Sequence, residues 1–527
     1  MDELLPTVIL VLGVVGVVGA LAQRVAVPAP VLLTLAGMLW SSLPALPAPH
    51  IEPHWILAVF LPPLLYADAW KASWIDFRRW LRPILQLAIG LVAFTIAAVG
   101  LVAHHAMPGL PWAACFLLGA IVSPTDTVAV QSVLDRLRAP RRTTAILGGE
   151  GLVNDATGLL GVGLATAVVL TGVFESGSIG LHFARIAGLG LAVGVGVGFA
   201  AARLNRRLHG TPVIFVFSLL APYVAYFAAE SVGASGVLAV VIAGFVASWR
   251  VHYIAPESRV DLYSSWDQLS FLLNAVMFLY IGLETPPRLR EALETVPGIT
   301  GVALAISAAV VLARIVWIVP LAYLPLWLSP ALRRREGGYP EMRAVGVGAW
   351  CGARGAISLA AALSLPVVLR DGTPFPGRAE IVACTLVVIV VTLIGQGGTL
   401  LPLVRRLGLS DAEPTDAEVR RAREAMLAAG IARLDAFCSE QSCPIAVHRL
   451  REAMADELAA QRAENEAERM RARERLHVDG EVRRAIYQAQ TDALLALRDQ
   501  GVVNDSIHQE LQLQLDRASA VLQTEAG

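Results

Sequence analysis

Of 527 residues, 56% carry hydrophobic side chains, only 16% are charged, and the mean hydropathy is +0.61. That balance excludes an ordinary soluble domain, a disordered chain and a coiled coil. A formal net charge of −1 offers no basic surface to a nucleic acid. What remains is an all-α polytopic membrane protein. Five scattered cysteines frame no disulfide scaffold.

In chain order, apolar runs fall near 4–23, 29–46, 54–70, 84–105, 112–134, 148–172, 181–202, 211–229, 235–250, 268–284, 298–322, 344–366 and 380–404. Each is long enough, or nearly so, to cross ~30 Å of hydrocarbon, which predicts about 13 transmembrane helices. The first lacks a basic leader and a small-residue cleavage site, so it is expected to be a span. The stretch 298–332 is broken by Pro320 and Pro325 and leaves room for an extra half-span.

Charge divides the chain near residue 408. Beyond Arg406 lie 15 arginines and 22 acids, whereas the preceding body holds 27 basic and 21 acidic residues. The expectation is a transmembrane domain over 1–408 and an acidic, helical, cytoplasmic tail over 409–527. Basic residues within the body collect on alternate loops: Arg24; Lys71 to Arg82; Arg136 to Arg142; Arg203 to Arg207; Arg250 and Arg259; Arg333 to Arg343; Arg405 and Arg406. The opposite loops hold Arg185, Arg288, Arg290, Arg370 and Arg378. Because basic residues mark the cytoplasmic side, the N-terminus is expected outside and the tail inside the plasma membrane.

Two spans are interrupted by helix breakers. The fifth reads Gly-Ala-Ile-Val-Ser-Pro-Thr-Asp-Thr at 119–127, the twelfth Gly-Val-Gly-Ala-Trp-Cys-Gly-Ala-Arg-Gly at 346–355. An offset of seven spans gives the two halves opposite orientation, as inverted repeats require, and would bring the broken helices together near the midplane.

A charge in mid-membrane costs roughly 2.5–3.5 kcal/mol on insertion scales and so marks ion or proton pathways. Six such residues stand out: Asp68, Asp126, Glu150, Asp155, Arg314 and Arg354. Asn154-Asp155 is the sharpest, because a carboxyl kept from water favours its neutral form yet remains a hard oxygen ligand for a small cation. Proton and cation would compete for it, and exchange follows from that competition. Thr125 follows Pro124, so its carbonyl or hydroxyl is available to a cation. Asp126 either joins the site or offsets a half-helix N-terminus. Glu150, about one and a half turns before Asp155, points elsewhere, and Arg354 is its expected partner in an ion pair across the two broken helices. Asp68 lies either in the site or at the rim beside Lys71. Arg314 either balances the carbonyl end of a broken helix or snorkels to an interface.

Other motifs are weaker. Cys438, Cys443 and His448 lack a fourth ligand, so no metal is expected. No phosphate loop suggests ATP drive.

Taken together, Leu-Pro-Pro-Leu-Leu at 61–65, Ser-Pro-Thr-Asp-Thr-Val-Ala-Val at 123–130, Gly-Glu-Gly-Leu-Val-Asn-Asp-Ala at 149–156 and Gly-Ala-Arg-Gly-Ala-Ile-Ser-Leu at 352–359 resemble the monovalent cation:proton antiporters, in the NhaP-type bacterial branch of the sodium/proton exchangers. The resemblance covers most of 1–408. It implies crossed, unwound helices five and twelve, a mobile core beside a dimerisation domain, elevator-like alternating access and a homodimer. It also implies Asp155 as the shared cation and proton carboxylate, with Asn154 where electrogenic relatives carry a second aspartate. Thr125 would help coordinate the cation, and Glu150 with Arg354 would form the core ion pair. The sequence departs from relatives at Thr127, often a proline there; at Gly151, where a serine assists coordination; and at Ala67, which separates Asp68 from Tyr66. Ion selectivity is therefore not carried over.

The function expected is electroneutral antiport of Na+, with K+ or Li+ as alternatives, against H+, for pH and cation homeostasis and without a cofactor. Two other classes compete. A passive cation channel would use the same polar residues without proton coupling. An intramembrane aspartyl protease would use Asp126 and Asp155, but usually in a Gly-x-Gly-Asp setting that this chain lacks.

Overall fold

The computed structural model describes residues 4–25, 27–43, 55–137, 139–172, 179–208, 211–250, 254, 256–369, 372–409, 412–440, 445–462, 488–494 and 496. The chain divides into two compact units, Met1–Asp411 and Ala412–Gly527.

The first unit is helical throughout its spans. Helix α1 runs Leu4–Arg24 and α2 Ala29–Ser41, the latter entered through Pro28 with Pro30 in its first turn, where a missing N–H costs nothing. A π-helical turn, Ile56–Phe60, leads into α3, Leu61–Lys71, which also starts on prolines. The short α4, Trp74–Arg79, is capped by Ser73 Oγ accepting the Asp76 N–H at 3.2 Å. Helix α5 spans Leu81–Ala106 and contains a second π-turn at Gln86–Leu91.

The fifth span is broken, as the Ser-Pro sequence predicts. Helix α6, Trp112–Val122, stops before Pro124, and α7, Thr127–Arg136, resumes after Asp126. Helix α8 then runs unbroken over Arg141–Thr171 and ends on left-handed Gly172 (φ 69°). Helices α9 (Ile179–Asn205), α10 (Thr211–Ser231) and α11 (Gly236–Trp249) follow.

Helix α12, Pro256–Thr295, is much longer than the apolar run 268–284, because the polar flanks stay helical beyond the hydrocarbon-length segment. Helix α13, Ile299–Leu328, carries Pro320 and Pro325 without a break, so 298–332 holds no extra half-span. At 1.5 Å per residue its 30 residues reach about 45 Å, more than the bilayer core requires. After the short α14, Pro330–Arg335, the twelfth span is again split, into α15, Met342–Trp350, and α16, Ala356–Leu363. Helix α17, Arg378–Leu407, closes the unit and holds a third π-turn, Val391–Gly397. Such π-turns often mark functional positions within helices.

Among the described residues, eight helices are long and apolar enough to cross a membrane, α1, α5, α8, α13 and α17 being five of them. The shorter α2, α3 and α11 and the two broken spans, α6–α7 and α15–α16, complete the expected order. Close packing depends on small residues where backbones meet. A Cβ on Gly37 would lie 2.2 Å from the Leu279 carbonyl oxygen, and one on Gly282 would lie 2.1 Å from that of Thr34, so α2 and α12 touch through glycine. Four apolar clusters form among the described residues, two of them large. One gathers α2, α6, α12, α13, α16 and α17 around Leu117, Ile121, Phe278 and Ile389. The other gathers α3, α8, α10, α11 and the first half of α12 around Tyr66, Ala225, Val240 and Trp266.

In the second unit, α18 (Ala412–Glu440) and α19 (Ile445–Arg462) are helices whose Asp435 and Arg451 pair at 2.5 Å. Cys443, one of the three tail residues weighed as metal ligands, lies outside the described residues.

Candidate ion-binding site at the crossing of the broken helices

The two unwound stretches meet directly. The backbone N–H of Asp126 donates to the carbonyl of Ala353 at 2.8 Å, a hydrogen bond between the break in the fifth span and the break in the twelfth. Asp126 Oδ1 accepts the Val128 N–H at 2.9 Å and so caps α7, while a Cβ on Gly355 would fall 1.8 Å from its Oδ2. The carboxylate thus lies against the starts of both α7 and α16, where negative charge is favoured. Glycine at 355 is what permits this approach.

Helix α8 crosses behind the junction and presents two faces. Glu150 and Asn154, one turn apart, share the first. Asn154 Nδ2 donates to Thr125 Oγ1 at 2.6 Å, and the Thr125 hydroxyl donates onward to Glu150 Oε1 at 3.1 Å. Arg314 completes the chain, donating from Nη1 and Nη2 to the two Glu150 oxygens at 2.5 and 2.8 Å and from Nε to the Gly348 carbonyl at 3.1 Å. Glu150 and Arg314 are each 1% exposed, and a bidentate pair of this kind satisfies charges that burial would otherwise leave very costly.

The expected pairing of Glu150 with Arg354 is therefore corrected: Glu150 pairs with Arg314. The cause is local packing. Glycine at 352 leaves room for the Arg314 side chain, whose Cδ would stand only 2.8 Å from a Cβ there, so an arginine from α13 reaches Glu150 through the second break. Arg314 also caps a carbonyl at the end of α15 and is buried, so it does not snorkel to an interface. Arg354 is fully buried, and its backbone N–H donates to Thr392 Oγ1 at 3.0 Å. Among the described residues its guanidinium nitrogens have no hydrogen-bond partner.

The other face of α8 carries Gly148, Gly151 and Asp155, which line a cavity of about 310 Å³ together with Asp68, Thr125, Asp126, Thr127 and Ser358. Asp155 is 7% exposed, and Asp126, Asp68 and Glu150 lie within electrostatic range of it. No hydrogen bond or ion pair to a described residue engages its carboxylate. Asp68 shares the cavity wall with it, and Lys71 ion-pairs with Asp267. The two departures at Thr127 and Gly151 are in contact: a Cβ on Gly151 would lie 2.3 Å from Thr127 Cγ2 and 2.5 Å from its Oγ1. Threonine on α7 occupies the space that a side chain on α8 would need.

Residues 9–406 match the family model described as the transmembrane sodium/hydrogen exchanger. The chain belongs to the sodium/hydrogen exchanger family. An uncharacterized Na(+)/H(+) exchanger of Mycobacterium tuberculosis is 32% identical over 517 residues, 95% of this exchanger and 93% of its relative. A sodium, potassium, lithium and rubidium/H(+) antiporter of Bacillus pumilus is 32% identical over 77% of this chain and 62% of its own. In fold, the exchanger is similar to a sodium proton antiporter of Methanocaldococcus jannaschii, with a TM-score of 0.61, 21% identity and coverage of 76% of this chain and 98% of that one. The exchanger is accordingly a multi-pass secondary transporter, a monovalent cation:proton antiporter and not an enzyme. Neither the channel nor the protease alternative finds support.

Sequence reasoning missed two features of the exchanger. Glu336, in the connection after α14, accepts from Arg82 Nε and Nη2 at 2.7 and 3.0 Å and from Arg142 Nη2 at 3.2 Å, tying that connection to the starts of α5 and α8. As one of two acids, with Glu341, in a basic loop it gave no signal of burial. The second is Ser358, a single hydroxyl in an apolar run.

Proposed function

We propose that this exchanger moves Na+ against H+ through Asp155, with K+ and Li+ as the alternative cations. The observation that carries the proposal is the contrast along α8: the Glu150 carboxylate and the Asn154 amide nitrogen are engaged by protein partners, whereas the Asp155 carboxylate faces the cavity. Thr125 supplies its backbone carbonyl, which accepts only a long 3.4 Å bond from Asn154 Nδ2 and keeps a second lone pair, whereas its hydroxyl already serves Glu150 and Asn154 at shorter range. Asp126 neutralises the half-helix ends, and Asp68 forms the cavity's far wall and draws cations in. The Glu150–Arg314 pair holds the crossing together, and Arg354 supports the second break.

A single carboxylate that carries either one cation or one proton is neutral when loaded in both cases. Exchange through it is electroneutral, with alternating access delivered by movement of the broken-helix region. The proposed setting is the plasma membrane, N-terminus outside, in a homodimer serving pH and cation homeostasis. Residues 409–527 form a separate cytoplasmic domain with a regulatory role, and no cofactor takes part.

The test is proton movement across proteoliposomes followed with a pH dye on addition of Na+, K+ or Li+, for wild type and Asp155→Asn. Cation-triggered flux that vanishes in the variant and is unaffected by a clamped membrane potential is the expected result. Flux that survives in the variant overturns the assignment of Asp155. Unchanged pH and cation dependence on deletion of 411–527 overturns the regulatory role of the tail.

A further inference from the structure

Buried hydroxyls on the helices of this protein commonly donate to the carbonyl four residues back, as Thr285, Ser307, Thr385 and Thr392 do at 2.6–2.8 Å. Ser358 does not. It sits in the first turn of α16, and the residue four before it is Arg354, in the unwound stretch, where no helical carbonyl is aligned beneath it. Its Oγ is buried without a hydrogen-bond partner among the described residues, and the residue is one of those around the cavity that Asp155 also lines. A hydroxyl taken out of water and left unpaired is destabilising, so a ligand that occupies it gains by comparison.

We infer that Ser358 Oγ is a ligand of the transported cation, supplied by the second broken helix opposite Asp155, and that it sets the exchanger's preference among monovalent cations. Three features fit this role. A hydroxyl oxygen is a hard donor suited to a small hard cation. The start of α16 would repel a cation, but the Asp126 carboxylate lies against Gly355 and offsets that positive end. A neutral hydroxyl adds an oxygen ligand without adding a second titrating carboxylate, so cation affinity can change while one-for-one proton exchange is kept.

This inference rests on the proposal that Asp155 binds the cation, and the two fail differently. In the proteoliposome assay, Ser358→Ala raises the half-saturating Na+ concentration about tenfold, the size of one lost polar contact to an ion. It also alters the relative half-saturation for Na+, Li+ and K+. The maximal rate and the pH dependence at saturating cation stay near wild type, and Ser358→Thr, which restores a hydroxyl, recovers the wild-type affinity. Half-saturation within twofold of wild type for all three cations in Ser358→Ala overturns the inference.

If Ser358→Ala gives no measurable flux, cation-induced thermal stabilisation of the purified full-length protein reads binding directly. Loss of the Na+-dependent shift in Ser358→Ala with retention in Ser358→Thr supports the ligand role, and equal shifts in Ser358→Ala and wild type exclude it. Absence of flux from the wild type with any of the cations is failure of the antiport proposal, and the thermal measurement still decides whether Ser358 contributes to cation binding.

Discussion

The two faces of helix α8 are engaged by protein partners to different degrees. On one, Glu150 and the Asn154 amide nitrogen are locked into a hydrogen-bonded chain with Thr125 and Arg314, with Asn154 Oδ1 left without a partner among the described residues; on the other, Gly151 makes room for Thr127 and Asp155 addresses a cavity. Adjacent residues Asn154 and Asp155 are thus divided between fixing the junction and, on the function proposed above, meeting the ion. The lesson is that a transport helix can afford an uncommitted carboxylate only because its neighbours hold the crossing rigid.

The largest effect expected from breaking this contrast is at the open face. Asp155→Asn reduces cation-driven proton flux to background while leaving yield and thermal stability in detergent near wild type, since the carboxylate has no ion-pair partner to lose. A variant that unfolds would instead place Asp155 among the structural residues.

The locked face predicts the reverse. Arg314→Met strands Glu150 in a buried setting and costs about 3–5 kcal/mol, read as loss of folded protein and a lower Tm. Arg354→Met removes no ion pair and destabilises less. Equal losses in both variants would mean that Glu150 depends on both arginines.

How much of this was legible in the sequence follows from which forces act locally. Apolar run length and the breakers Pro124 and Gly352 act within one helix, so the spans and both interruptions could be read directly. Partner choice at Glu150 depends on which distant helix reaches it. Spacing along α8 says which way Glu150 faces but not that Arg314 arrives through the gap at Gly352, so the pair was assigned to the wrong arginine. The polar ends of α12 hid its length, because hydropathy detects the membrane-crossing part only. Ser358 was invisible for a further reason: its lack of a carbonyl partner depends on where α16 begins.

A smaller effect tests the close approach of α7 to α8 at Gly151 and Thr127. Gly151→Ser forces a side chain into Thr127 and costs about 1–3 kcal/mol as overpacking. Thr127→Ala in the same chain recovers most of it, because the two positions share one volume. Additive losses in a double-mutant cycle of thermal stability would show that they do not compete for that space.

The smallest effect is also on the locked face and discriminates most finely. Asn154 adjoins Asp155, yet its amide is spent on Thr125. Asn154→Ala removes that donor, while the Thr125 hydroxyl can still donate to Glu150 and the Glu150–Arg314 pair stays intact. The cost is about 1 kcal/mol, a single neutral hydrogen bond, seen as a modest fall in Tm. Cation-driven flux persists with half-saturation close to wild type, because nothing on the cavity face has changed. A large rise in half-saturating cation at unaltered Tm would move Asn154 to the open face and make the ion site a pair of adjacent side chains. The separation along α8 therefore stands or falls on whether stability or cation affinity responds to this one amide.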